Sequence, residues 1–221
     1  IETDMQVTSD GTVVCYHDNT LDAQTNGTGA ISTNTFATIN GLAYDTLAGT
    51  ALSTSRIPTL SSLLAFCRKS NVDCWPEIKK YRTQADIDLM LSDILAANWQ
   101  DRTSLIVGNR SDVEAVRSSS VSIGATIKIM LVYLDQNTWE AEIDYVKTLG
   151  GQYDTLMYYV NALGGGQAMV NLARSKGVEP CAYSLSPANG GDGGDSKEVA
   201  NKLADIGIFT LVCDQDVRSQ A

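Results

Sequence analysis

Histidine is almost missing from this sequence: His17 is the only one in 221 residues. Ser-His-Asp chemistry could be built only around that residue, and no nucleophile-elbow G-x-S-x-G accompanies it. Cysteine is sparse and odd in number. Cys15, Cys67, Cys74, Cys181 and Cys213 form no CxxC pair, so they read as small buried hydrophobes, not a disulfide framework or a zinc site. Positive charge is also short. Sixteen Lys and Arg face 26 acids, for a net charge of −10. That excludes a broad basic face for nucleic acid and weighs against adhesion to anionic membrane. A phosphate ester would have to be held locally, by a metal ion or one well-placed cation. No apolar run reaches the ~20 residues that span a bilayer. Gly164-Gly165-Gly166 precedes a helical pattern, but no P-loop or dinucleotide fingerprint goes with it, so it reads as a loop. Asn189–Asp195 alternates Gly and Asp without EF-hand spacing and also reads as a loop, at the same end as the candidate site.

What is present is an alternation of short apolar, β-rich runs with helical patterns. Strands are expected at Glu2–Thr8, Thr12–Tyr16, Val72–Lys79, Ser104–Val107, Thr126–Val132, Thr155–Val160, Pro180–Leu185 and Phe209–Cys213. The turn Ser9-Asp10-Gly11 joins the first two in a hairpin-like unit. Helices are expected at Thr59–Lys69, Ala85–Asn98, Asp112–Ser118, Thr138–Leu149, Gln167–Lys176 and Ser196–Ile206. Gly150 and Gly177 are placed to stop two of them. This order indicates an α/β fold with parallel strands. The number of units favours a (β/α)8 TIM barrel over an open sheet. Such a barrel takes about 250 residues, so one βα unit is missing from the count. No repeat or linker interrupts the chain. It is read as one domain, 1–221, with an insertion at about 20–57 that folds over one end. The chain starts at Ile1 without Met or a signal-like segment and is expected to be a processed product or a piece of something longer.

The candidate chemistry lies in the first eighty residues. Glu2 and Asp4 are two apart and share one face of their strand. Two like charges there need something positive between them, or else the strand is a solvated edge; that stretch alone leaves both readings open. Glu77 and Lys79 share a face at the end of another predicted barrel strand, where charged residues mark the catalytic side. They could be a simple ion pair, or a metal ligand beside a phosphate-binding cation. Three carboxylates would suit a hard divalent ion such as Mg²⁺ or Ca²⁺. A single histidine is as a rule structural, yet His17 is the best general acid or base in this chain at neutral pH. Tyr158 and Tyr159 are expected to divide between core and surface.

The order Ile1-Glu2-Thr3-Asp4-Met5-Gln6-Val7-Thr8-Ser9-Asp10-Gly11, Val13-Val14, His17-Asp18, Leu21-Asp22, Thr25-Asn26-Gly27-Thr28-Gly29, Ile57-Pro58-Thr59-Leu60 and Glu77-Ile78-Lys79 resembles the glycerophosphodiester phosphodiesterase family. The resemblance is dense over residues 1–80 and faint afterwards. Near the end, Ala182-Tyr183-Ser184 and Cys213-Asp214 look like its final strand motifs, with Tyr183 where a tryptophan is usual. The resemblance implies a barrel and a divalent metal, Mg²⁺ or Ca²⁺, with Glu2, Asp4 and Glu77 as ligands. It implies that His17 is one of two catalytic histidines, and that Lys79 and Tyr183 contact substrate. The implied reaction cleaves a glycerophosphodiester to glycerol phosphate and an alcohol, through attack of a glycerol hydroxyl on phosphorus and opening of a cyclic phosphate by water. A strand ending in His-Arg-Gly, followed by a Glu-Asn helix, would precede Glu2 in that family and is absent here, as is an arginine after Leu21-Asp22, where Ala23 and Gln24 stand. Upstream residues or another chain are therefore expected to complete the barrel. The other classes considered are a binding domain for glycerol-phosphate polymers in a surface or phage-tail protein, and a relative acting on sphingolipid head groups. The Ser-, Thr- and Asn-rich stretch Thr20–Ser55 gives a weak expectation of a secreted, surface or virion-associated protein.

Overall fold

The computed structural model of the chain describes residues 1–45, 54–79, 83–119, 127–133, 139–148, 155–159, 166–183, 201, 203–207 and 211–212. The chain divides into two compact units, Ile1–Val107 with Ser111–Ile127, and Gly108–Arg110 with Lys128–Ala221.

The first unit carries strands β1 (Glu2–Val7), β2 (Val13–Cys15), β3 (Trp75–Ile78) and β4 (Ser104–Val107) in the order β2-β1-β3-β4. β2 runs antiparallel to β1, while β3 and β4 continue the sheet in parallel. The hairpin-like turn has a physical cause. Gly11 takes φ +83°, a conformation costly for residues with a Cβ. Its N–H donates to the Thr8 carbonyl at 3.1 Å, and the Thr8 hydroxyl donates to Asp10 at 2.6 Å.

Helices α2 (Leu60–Ser70) and α3 (Gln84–Ala96) pack on each other. Both begin at threonine caps. Thr59 accepts from the Ser62 N–H, and Thr83 and Asp86 form a reciprocal capping box, which satisfies donors the helix cannot use. Leu60, Leu64 and Cys67 of α2, and Ile87, Met90, Leu91 and Ile94 of α3, are fully buried. Their three- and four-residue spacing puts them on the inward faces. Asn71 ends α2 in the left-handed region, φ 56°. A shorter helix α4 (Arg110–Ser118) buries Val113 and Val116.

The expected insertion has little regular structure. Its described residues contain two 3₁₀ turns, at Leu21–Ala23 and Ile31–Thr33, and one short helix, α1 (Phe36–Asn40). It has its own small core: Leu21, Ile31, Ile39 and Ile57 pack with Val14 and Tyr16 of the β2 segment. The Thr25–Gly29 run is fixed from both sides. Asn26 donates its N–H to the Ala43 carbonyl at 3.1 Å and accepts from the Ala43 N–H at 3.0 Å. A Cβ on Gly27 would meet a Leu42 methyl at 2.4 Å, so a side chain there would have to displace Leu42.

The second unit carries β5 (Lys128–Tyr133), β6 (Thr155–Tyr159), β7 (Glu179–Tyr183) and β8 (Leu211–Val212), paired in parallel in that order. Helices α5 (Trp139–Thr148) and α6 (Gly166–Ser175) pack on each other, and Lys176 after α6 is paired with Asp144 of α5. Gly177, φ +75°, closes α6 with the Val178 N–H donated to the Ala173 carbonyl at 2.9 Å, a Schellman-type ending. Gly150, Val160, Gly164, Gly165, Ser184, Asn189–Asp195, Cys213 and Asp214, and most of the helix expected at Ser196–Ile206, lie outside the described residues. The four described cysteines are buried free thiols.

The insertion's core is small enough that each member counts. Ile39→Ala, at a site with no exposure, is expected to cost about 2–5 kcal/mol in denaturant unfolding. Phe66→Ala, at an exposed position on α2, is expected to change stability by less than about 0.5 kcal/mol.

Candidate functional site

One face of β1 presents Glu2, Asp4 and Gln6, residues two apart along an extended strand. The neighbouring β3 is in register so that Asp4 stands beside Glu77 and Glu2 beside Trp75. Pro76 and Ile78 turn inward and are buried, which leaves Glu77 on the same face as the β1 carboxylates. The carboxyl groups of Glu2, Asp4 and Glu77 each offer an oxygen, and these oxygens all lie within 4.8 Å of one another. Among the described residues this is the only such grouping of three potential ligands. Lys79 leans over it, with Nζ 3.5 Å from Asp4 Oδ1 and 3.5 Å from Glu77 Oε1.

The set suits a divalent ion. Its donors are all oxygen, and their spread matches two ligands each about 2.0–2.6 Å from a common hard cation. Three carboxylates against one ammonium leave two negative charges unmatched, the charge of one such ion. The electrostatics reflect the crowding. The carboxyl of Glu2 is pushed up to about 7, first by the protein packed around it, although the residue as a whole reaches solvent, and then by Asp4 and Glu77. Glu77 is also raised, by burial, with Lys79 pulling the other way and Asp4 adding to the rise. Burial works against the charge on Lys79, yet Glu77 and Asp4 hold its ammonium above the usual lysine range.

His17 follows β2 and is tied to the same strand. The Tyr16 N–H donates to the Asp4 carbonyl at 2.9 Å, and the Cys15 N–H donates to Pro58 at 2.9 Å on the other side. The imidazole is 59% exposed, with Nδ1 3.1 Å from Asp18 Oδ1. When protonated, it would help to lower Glu77, as the Lys79 ammonium helps to lower Asp18. Asp18 itself is drawn down: burial would raise it, but hydrogen bonds from His17 and Gln24, together with the positive charge of His17 and Lys79, more than offset that. Tyr183 closes β7 in the second unit, and its side chain lies outside the described part of the structure.

Two contributors were not identified by sequence reasoning. Gln6 is buried between the buried Met5 and Val7, and its amide donates to the Tyr16 carbonyl at 2.8 Å and the Asp18 carbonyl at 2.7 Å. The signal was available: a glutamine continuing the Glu2, Asp4 alternation into the apolar half of a strand must have buried partners. Gln24, whose amide donates to Asp18 Oδ2, carried no comparable signal.

The glycerophosphoryl diester phosphodiesterase family matches residues 1–210. Glycerophosphodiester phosphodiesterase 1 of Mus musculus is 32% identical over 91 residues, which cover 40% of this chain and 28% of that protein. The chain thus matches under a third of that relative's length. Among solved structures, a glycerophosphodiester phosphodiesterase from Agrobacterium tumefaciens superposes with a TM-score of 0.72 at 18% identity, over 97% of this chain and 83% of that one. A phosphodiesterase from Oleispira antarctica, in complex with the product sn-glycerol-3-phosphate, superposes with a TM-score of 0.75 at 16% identity, over 99% and 82%. These likenesses give the fold as the α/β TIM-barrel type.

A raised carboxyl pKa makes the site sensitive to pH in a defined sense. Between 4.5 and about 7 the metal-free fold keeps a proton on Glu2 that the unfolded chain has lost, so its stability is expected to fall as pH rises through this window. A divalent ion must displace that proton. Calorimetric titration with Mg²⁺ or Ca²⁺ is therefore expected to show tighter binding and less proton release at pH 8 than at pH 6. Glu2→Gln is expected to weaken binding and flatten this pH dependence. Equal affinity at both pH values in the unmodified chain would contradict the assignment of Glu2 as a ligand.

Proposed function

Because the chain belongs to the glycerophosphoryl diester phosphodiesterase family, we propose that it hydrolyses glycerophosphodiesters to a glycerol phosphate and an alcohol. The observation that carries the reading is the cluster of Glu2, Asp4 and Glu77 with Lys79 poised 3.5 Å from two of them. A phosphodiester carries one negative charge and gains more on its equatorial oxygens as it is attacked, so catalysis rests on placed positive charge and on proton transfer.

Glu2, Asp4 and Glu77 are the residues that would hold a divalent ion. When bound, such an ion supplies Lewis-acid stabilisation of the phosphoryl oxygens and lowers the pKa of a nearby hydroxyl. Lys79 supplies a second, fixed positive charge. Its ammonium is a compact donor suited to a phosphate oxygen, and Asp4 and Glu77 keep it protonated. His17 is open to solvent on one side and hydrogen-bonded on the other. It is the one imidazole in the chain, and it serves as the general acid/base: it gives a proton to the departing alcohol oxygen and recovers one when water enters.

The assay is release of glycerol phosphate from glycerophosphocholine and glycerophosphoglycerol by the 221-residue chain, with Mg²⁺ or Ca²⁺ and with chelator. Chelator is expected to abolish turnover, and His17→Ala to lower kcat by about 10²–10⁴-fold. Lys79→Met is expected to raise KM by about 10–100-fold, the worth of a charge-assisted hydrogen bond to phosphate. Turnover indifferent to both chelator and His17→Ala would sink the mechanism.

A further inference from the structure

His17 is exposed, and an exposed histidine has no intrinsic reason to hold one ring orientation or one tautomer. Its surroundings give it both. Nδ1 lies 3.1 Å from Asp18 Oδ1. The other carboxylate oxygen, Oδ2, accepts from the Gln24 amide. An ionised carboxylate only accepts, so the shared proton sits on Nδ1 and the lone pair of the neutral ring is left on Nε2. The hydrogen bond one ring nitrogen makes sets the state of the other.

The backbone beneath is fixed as well. The buried Gln6 amide has two hydrogens. It spends them on the carbonyls of Tyr16 and Asp18, at 2.8 and 2.7 Å, the residues on either side of His17, with the His17 carbonyl itself at 3.5 Å. Gln24 is anchored in turn. Its N–H donates to the Leu21 carbonyl at 3.3 Å and its carbonyl accepts from Asp45 at 2.9 Å, while Leu21 sits in the insertion's core. An isolated, half-exposed contact between neighbouring residues would compete poorly with water. Here two further side chains, Gln24 and Gln6, hold it in place.

We propose that Asp18, oriented by Gln24 and by the Gln6-pinned backbone, is a positioning residue that fixes His17 as the Nδ1–H tautomer and presents Nε2 for proton transfer. The catalytic meaning of this rests on the role given to His17 above; the tautomer itself does not. Because the chain holds a single histidine, long-range ¹H–¹⁵N correlation on the 221-residue protein reads that tautomer without resonance assignment, at a pH where the ring is neutral.

The unmodified chain is expected to show Nδ1–H as the major form. Asp18→Ala is expected to move the population toward Nε2–H. Gln24→Ala, which leaves the carboxylate in place but unheld, is expected to move it less in the same direction. Asp18→Asn, which keeps an acceptor for Nδ1, is expected to restore most of it. With glycerophosphocholine, Asp18→Ala is expected to lower kcat roughly tenfold with little change in KM, a part of the about 10²–10⁴-fold that acid–base catalysis contributes. A major Nε2–H form in the unmodified chain, or a tautomer ratio unmoved by both alanine variants, overturns the proposal. The expected tautomer shifts in a chain that never turns over the diester would instead count against the hydrolase reading and leave the positioning role standing.

Discussion

The parallel pairing of β1 with β3 places Asp4 beside Glu77, and the chemistry of the site depends on that register. A slip by one residue would turn one strand's carboxylates away from the other's, because side chains alternate across a strand. Met5, Pro76 and Ile78 resist such a slip, since each is buried on the opposite face and would be driven into the polar side. The apolar half of each strand therefore pays for the crowding of like charges on the other half, and Lys79 relieves part of it.

From that pairing the arrangement extends outward through one buried amide. Gln6 continues the acidic face of β1 but meets no charge; it meets the carbonyls of the segment that carries His17. The strand that supplies two of the acidic residues thus also fixes where the imidazole stands. Tyr16, the residue after the antiparallel β2, completes the connection by donating its N–H to the Asp4 carbonyl. Acidic cluster, ammonium and imidazole are related by a few hydrogen bonds within one unit, without recourse to long side-chain reach.

Much of this could be read from the residues. The β–α alternation is visible in periodicity, and the observed strands fall within a few residues of those expected, as at Ser104–Val107 and Thr155–Tyr159. The carboxylates at spacing two, and Glu77 with Lys79, needed only the geometry of a strand. What could not be read was register across the sheet, which depends on pairing between segments more than seventy residues apart. The insertion was opaque for another reason. Its core residues Leu21, Ile31, Ile39 and Ile57 are far apart and follow no period, because turns and 3₁₀ segments bring them together. Gln24 was invisible for the same cause: its partner is set by how that loop closes, not by its neighbours in sequence.

The insertion's core is built from its own residues together with Val14 and Tyr16, while Glu2, Asp4, Glu77 and Lys79 belong to the strands β1 and β3 and the residue after. Acidic cluster and inserted loop thus pack around different residues and meet at the His17 segment. Such a division lets one part drift under selection while the other is kept. The loop can be recut by insertion, deletion or exchange between relatives, provided the aliphatic contacts with Val14 and Tyr16 and the hold of Gln24 on Asp18 survive. Lineages built on this plan would be expected to diversify at the loop and to vary little along the two strands.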